Sequence, residues 1–81
     1  MQAGLLDNAI VQYVVCRSPA DYPGMFTCRR HFIVRGGQIY VDQHVHVTPH
    51  LIGIRRPLIR AGLHRLPRYP DDNPVILEVW L

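Results

Sequence analysis

The sequence predicts a small α+β domain: an antiparallel sheet of about four strands in the order β-β-β-α-β, with one short, Pro-kinked helix packed on one face. Three observations carry this. Runs rich in β-branched and aromatic residues recur at 9–17, 26–35, 38–48 and 75–81. Gly36-Gly37 separates the middle two and demands a tight reversal. A single stretch after Thr48 changes to helical spacing. The 81 residues allow one domain, 1–81, because chains divide into separate cores only well above this size. With 48% hydrophobic and 19% charged residues, the composition excludes wholesale disorder, collagen-like repeats and coiled coils.

Each element has its own justification. Ala9 to Arg17 is apolar on both faces, with Val11, Tyr13 and Val15 on one and Ile10, Val14 and Cys16 on the other, so this strand wants cover on both sides. Tyr22-Pro23-Gly24-Met25 places Pro and Gly at the second and third positions of a type II turn. A two-residue Gly-Gly hairpin loop would then pair Arg35 with Gln38. That register sets Val34 against Ile39, Phe32 against Val41, Cys28 against Val45 and Phe26 against Val47, an entirely apolar face broken only by Arg30 opposite Gln43. The other face pairs His31 with Asp42, Arg29 with His44, Thr27 with His46 and Ile33 with Tyr40. The helix is expected to pack on the Phe26, Phe32, Val41 and Val45 face, so Phe32→Ala is expected to cost about 3 to 5 kcal/mol.

Thr48-Pro49 reads as a helix start, with Thr as N-cap and Pro at the first helical position. Leu51, Ile54, Leu58 and Ala61 then recur on one face, Pro57 interrupts the pattern, and Gly62 ends it. The stretch from Leu63 to Asn73 reads as irregular, and Val75 to Leu81 as the last strand. Strand order is left open by these patterns.

Charge and cysteine content bound the setting. All nine basic residues are Arg, against six acidic ones, for a formal charge of +3. Arginine's planar fork suits carboxylate and phosphate, although GC-rich coding produces the same bias. The N-terminal residues lack the basic start of a secretory signal, and no apolar run approaches the roughly 20 residues of a membrane span, so a cytoplasmic protein with no membrane partner is expected. Cys16 and Cys28 fit no metal spacing and read as free thiols.

This framework offers four kinds of chemistry. His44-Val45-His46 puts two imidazoles on one strand face with His50 nearby, a spacing used by zinc sites on strands and equally by solvent-facing residues. A His31–Asp42 pair could orient an imidazole, but no nucleophile joins it, so no enzyme is expected. No cofactor motif is present. The five arginines at 55–68 (Arg55, Arg56, Arg60, Arg65 and Arg68), with Arg29, Tyr40 and Trp80 on the sheet face away from the helix, could track a phosphate backbone. Trp80 with Ile76, Ile10 and Val14 would also form an apolar patch there, the usual mark of an association surface unless Leu5 and Leu6 cover it.

The combination of Tyr22-Pro23-Gly24-Met25-Phe26 with Arg29-Arg30, then Gly62-Leu63-His64-Arg65-Leu66-Pro67-Arg68, then Asp71 through Leu81, resembles a group of small uncharacterised bacterial and phage-associated proteins. The resemblance runs from about Tyr22 onward. It implies a stand-alone domain and brings no catalytic residues. The expectation from the whole sequence is a non-enzymatic, homodimeric binding module, because an apolar sheet face calls for a partner. Nucleic-acid binding through the arginines is the alternative, and metal binding through His44 and His46 the second alternative.

Overall fold

The computed structural model describes residues 8–68 and 73–81. Leu5, Leu6, Asp71 and Asp72, which enter the expectations above, lie outside the described residues. The strands are β1 (Ile10–Arg17), β2 (Phe26–Ile33), β3 (Ile39–Val41), β4 (His46–Thr48) and β5 (Ile76–Trp80), with helix α1 (Leu51–Arg60) between β4 and β5. All pairings are antiparallel, in the order β3-β2-β1-β5, with β4 also paired to β2. The domain is therefore α+β, with one helix among the described residues, as the pattern predicts. Its third strand is broken into β3 and β4.

The Tyr22–Met25 turn forms as expected, with Met25 N–H donating to the Tyr22 carbonyl at 3.2 Å and Gly24 at φ 76°. The next reversal differs by one residue. Val34, not Arg35, closes the β2–β3 loop, donating to the Gln38 carbonyl at 2.9 Å, and Arg35-Gly36-Gly37 form the loop with both glycines at positive φ. The β2–β3 register is consequently His31 to Val41, Phe32 to Tyr40 and Ile33 to Ile39. Because side chains alternate, this slip sends Ile39 and Val41 to the face expected to be polar and turns Tyr40 toward the helix side.

The reason lies in the polar exception. In the expected register Arg30 met Gln43. In the observed one Asp42 N–H donates to the Arg30 carbonyl at 2.9 Å, and the Arg30 side chain donates from Nε to Asp42 Oδ2 at 2.8 Å. An arginine on a largely apolar face thus gains a carboxylate. Asp42 Oδ1 also accepts the His44 N–H at 3.0 Å, an Asx turn that interrupts the strand, and pairing resumes with Cys28 opposite His46 and Phe26 opposite Thr48.

Helix α1 starts later than expected, at Leu51 with His50 as N-cap. Thr48 Oγ1 accepts the His50 N–H at 3.4 Å, leaving Pro49 outside the helix. Thr48 also packs where a side chain on Gly53 would sit, since a Cβ there would meet Thr48 Oγ1 at 2.7 Å. The helix continues through Pro57 as a single element. It ends at Gly62 (φ 78°), with Gly62 N–H on the Ile59 carbonyl and Leu63 N–H on the Leu58 carbonyl, a Schellman closure that tucks Leu63 against the core.

The core lies between α1 and one sheet face: Val15, Cys28, Ile54, Leu58 and Trp80, with Tyr13, Phe26, Leu51 and Leu63 packed around it. Val15 and Ile54 are sealed from solvent. Ala61 is exposed, and Phe32 is only half-buried with the Arg30 guanidinium 5.2 Å over its ring. The expected Phe32 anchor is thus peripheral, and Trp80 takes its place.

Candidate interaction faces

On the side of the sheet opposite α1, the strand registers assemble rows of side chains. Ile10 of β1 is opposite Ile33 of β2, which is opposite Ile39 of β3. The next row is Gln12, His31 and Val41; beyond it Val79, Val14 and Arg29 align, then Cys16, Thr27 and Val47. The two ends of this face differ. Near Thr27 and Val14, both buried, the connection at Pro19–Tyr22 overhangs the sheet, and a cavity of about 320 Å³ opens among Val14, Cys16, Asp21, Tyr22, Arg29 and Val41. At the other end Ile10 is 53% exposed and Ile39 55% exposed, and nothing among the described residues covers them.

The charge on this face is already matched. Arg29 lies 3.7 Å from Asp21 in an ion pair. His31 is pushed below its ordinary value by burial and by the nearby Arg29 charge, so it is neutral at pH 7. An apolar row flanked by a neutral imidazole and a compensated arginine can approach another apolar surface without stranding a charge.

The residues expected to join Arg29 there do not all do so. Tyr40 lies on the helix side, opposite Phe32. Trp80 is a core residue because β5 pairs with β1 so that Trp80 meets Tyr13 and Val79 meets Val14, which turns the indole under the helix. Val14 and Ile10 keep the expected side. Arg56 and Arg60 are exposed on the outer surface of α1, on the far side of the molecule from Arg29.

Arg55 is committed elsewhere, to a group that the sequence reading overlooked. Glu78 is 5% exposed, and its carboxylate accepts hydrogen bonds from Arg55, from Arg65 Nη1 at 3.0 Å and from Trp80 Nε1 at 3.0 Å. Burial by itself would raise this carboxyl; the Arg55, Trp80 and Arg65 hydrogen bonds and the Arg55 charge outweigh that and hold it below its ordinary value. The cluster ties α1, the segment around Arg65 and β5 together. Arg65 forms a bridge to Trp80, with His64 and Leu66 donating to the Leu81 and Val79 carbonyls, so the outer edge of β5 is covered. A carboxylate at an alternating position between Ile76 and Trp80, with only arginines upstream to match it, was the available signal.

The histidines do not converge on a metal site. His44 and His46 border a shallow cavity of about 170 Å³ with Tyr13, Arg30 and Asp42, but both Asp42 oxygens are engaged by Arg30 and the His44 amide. His50 sits at the helix N-cap, and among the described residues no three His, Cys, Asp or Glu side chains gather to hold a metal ion. The expected His31–Asp42 pair is replaced by Arg30–Asp42, and the two lie on opposite faces.

Both cysteines are free and, though next to each other in register, point to opposite faces. Burial pushes the Cys28 thiol up to about 11, with Cys16 adding to the effect, and burial raises Cys16 as well. No helix among the described residues is long and apolar enough to cross a membrane. No family model matches the chain, and no curated protein or solved structure matches it.

Proposed function

We propose that the chain is a non-enzymatic interaction module that self-associates through the open face of its sheet, two copies meeting across the Ile10, Ile33 and Ile39 row. The single observation that carries this is that row, which no described residue covers, with Ile10 and Ile39 each more than half exposed. A second copy is the favoured occupant because an uncharged aliphatic patch is complementary to itself, and two-fold pairing buries it on both protomers at once. Each half-exposed isoleucine stands to gain about 1 kcal/mol on burial, a small gain against the cost of association, so any dimer formed is weak. With both thiols raised, neither cysteine offers an activated nucleophile. The reading carries with it a reducing, cytoplasmic setting in which Cys16 and Cys28 persist as thiols.

Nucleic-acid binding is less well supported. Arg55 and Arg65 hold Glu78, and Arg68 donates to the Ile76 carbonyl at 3.3 Å, which leaves Arg56 and Arg60 of that stretch open.

Sedimentation velocity from low micromolar to near-millimolar protein tests the proposal. The wild type should shift from monomer to dimer, and Ile39→Glu should stay monomeric with an unchanged far-UV spectrum and thermal midpoint. A wild type that remains monomeric throughout, or a dimer indifferent to Ile39→Glu, overturns it.

A further inference from the structure

The outer surface of α1 carries a second unpartnered pattern, on the opposite side of the molecule from the open sheet face. Ile54 and Leu58 point into the core, so the helical period turns Ile52, Arg56, Ile59 and Arg60 outward within an arc of roughly 100°. Ile52 is 52% exposed and Ile59 58% exposed, one on each side of Arg56 along the helix. Neither Arg56 nor Arg60 has an ion-pair or hydrogen-bonded side-chain partner among the described residues, whereas Arg29, Arg30, Arg55 and Arg65 each have a carboxylate. No acidic residue occurs between Gln43 and Pro70.

From this juxtaposition we infer that the outer face of α1 docks an acidic amphipathic segment of a partner protein, whose aliphatic side chains cover Ile52 and Ile59 while its carboxylates pair with Arg56 and Arg60. Charge complementarity and the spacing select this occupant. The two arginines are four residues apart, one helical turn, and a helix or extended segment with carboxylates at a similar interval reaches both. A phosphate backbone fits less well. Two open arginines make about two phosphate contacts, against the 6 to 10 typical of salt-sensitive binding, and isoleucine offers no aromatic plane for a base. An anionic bilayer gains about as little from two cations, and this ten-residue helix carries no aromatic anchor on that face. The inference stands apart from self-association: a dimer formed through the sheet faces presents both helices outward.

The test is affinity selection from a randomised helical peptide library on the full-length protein, with the Arg56→Glu/Arg60→Glu variant selected in parallel. An oligo-dT strand and phosphatidylserine vesicles serve as competing probes. The wild type should enrich sequences that combine Asp or Glu one turn apart with Leu, Ile or Phe, and the charge-reversed variant should enrich Lys and Arg in their place. Ile59→Ser should weaken the selected peptides roughly ten-fold. Sedimentation and circular dichroism of the same variants, expected to match the wild type, separate this outcome from any failure of folding or of self-association. Unselective recovery, enrichment unaffected by charge reversal, or retention of the oligonucleotide or vesicles in place of acidic peptides overturns the inference.

Discussion

The two faces of this sheet come from the same strands, yet among the described residues one is covered and the other is not. On the helix side, Val15 and Trp80 are covered by Ile54 and Leu58, and the buried carboxylate there, Glu78, has both oxygens engaged. On the open side, isoleucines of equal hydrophobicity line up at Ile10, Ile33 and Ile39, and Ile10 and Ile39 keep about half their surface in water. The difference is one of supply. The described residues hold one helix, and burying a second sheet face takes another layer. Where the short Pro19–Tyr22 connection reaches, Val14 and Thr27 are buried on the open side too. Beyond it no described residue covers the face.

Substitutions on the two sides should therefore differ in kind. The largest effect is expected for Trp80→Ala, which empties the core and removes a donor from Glu78: about 3 to 5 kcal/mol in urea unfolding, close to the whole stability of so small a domain. Trp80→Phe keeps most of the volume and should cost about 1 to 2 kcal/mol, chiefly the lost indole hydrogen bond. A Trp80→Ala protein of wild-type stability would mean that the core is not where the helix packs.

Glu78→Gln comes next, at about 1 to 3 kcal/mol, because charge-assisted hydrogen bonds become ordinary ones while Arg55 and Arg65 remain free to turn to water. It should also alter the pH profile. The native Glu78 carboxyl titrates below its ordinary value of 4.5, so its contribution is fully present above about that pH and is lost as pH falls through the lower native value. Acid unfolding of Glu78→Gln should be shallower than that of the wild type over this window, and parallel curves would show that the cluster is not the acid-sensitive element.

Phe32→Ala sharpens the comparison at the rim of the core. With the ring half-buried beneath Arg30, unfolding should register about 1 to 2 kcal/mol rather than the 3 to 5 of a central anchor. The smallest effect concerns the open face and acts on association alone. His31 titrates below 6.5, so dimerisation should be constant above that pH and weaken as pH falls through the lower native value, when each protomer gains a charge beside the isoleucine row. His31→Gln should remove this dependence in sedimentation measurements, and a dimer that tightens on acidification would contradict the proposed face.

Much of the architecture was legible because local physics dictates it. The β-branched run of β1, the Pro-Gly turn, the helical spacing of Leu51, Ile54 and Leu58 and the Gly62 stop each need only neighbours in sequence. The faces were less legible. A one-residue difference in the Gly-Gly loop, invisible to turn propensity, inverted β3 and moved Ile39 and Val41 to the open side. The same limit hid Glu78, whose three partners come from the helix, the following segment and its own strand.

The sequence by itself determined the class of fold, the number of layers and which side of β1 and β2 meets the helix, since these follow from side-chain period and chain length. Tertiary structure decided the register after Gly37, the placing of Trp80 in the core and the division of the arginines into those bound to carboxylates and those left open. Each of those rests on a pairing between residues distant in sequence: Arg30 with Asp42, Tyr13 with Trp80, Arg55 with Glu78. Pairings of this kind are selected by burial, which leaves no charge unmatched and no indole unbonded, and burial exists only once the sheet and helix have come together.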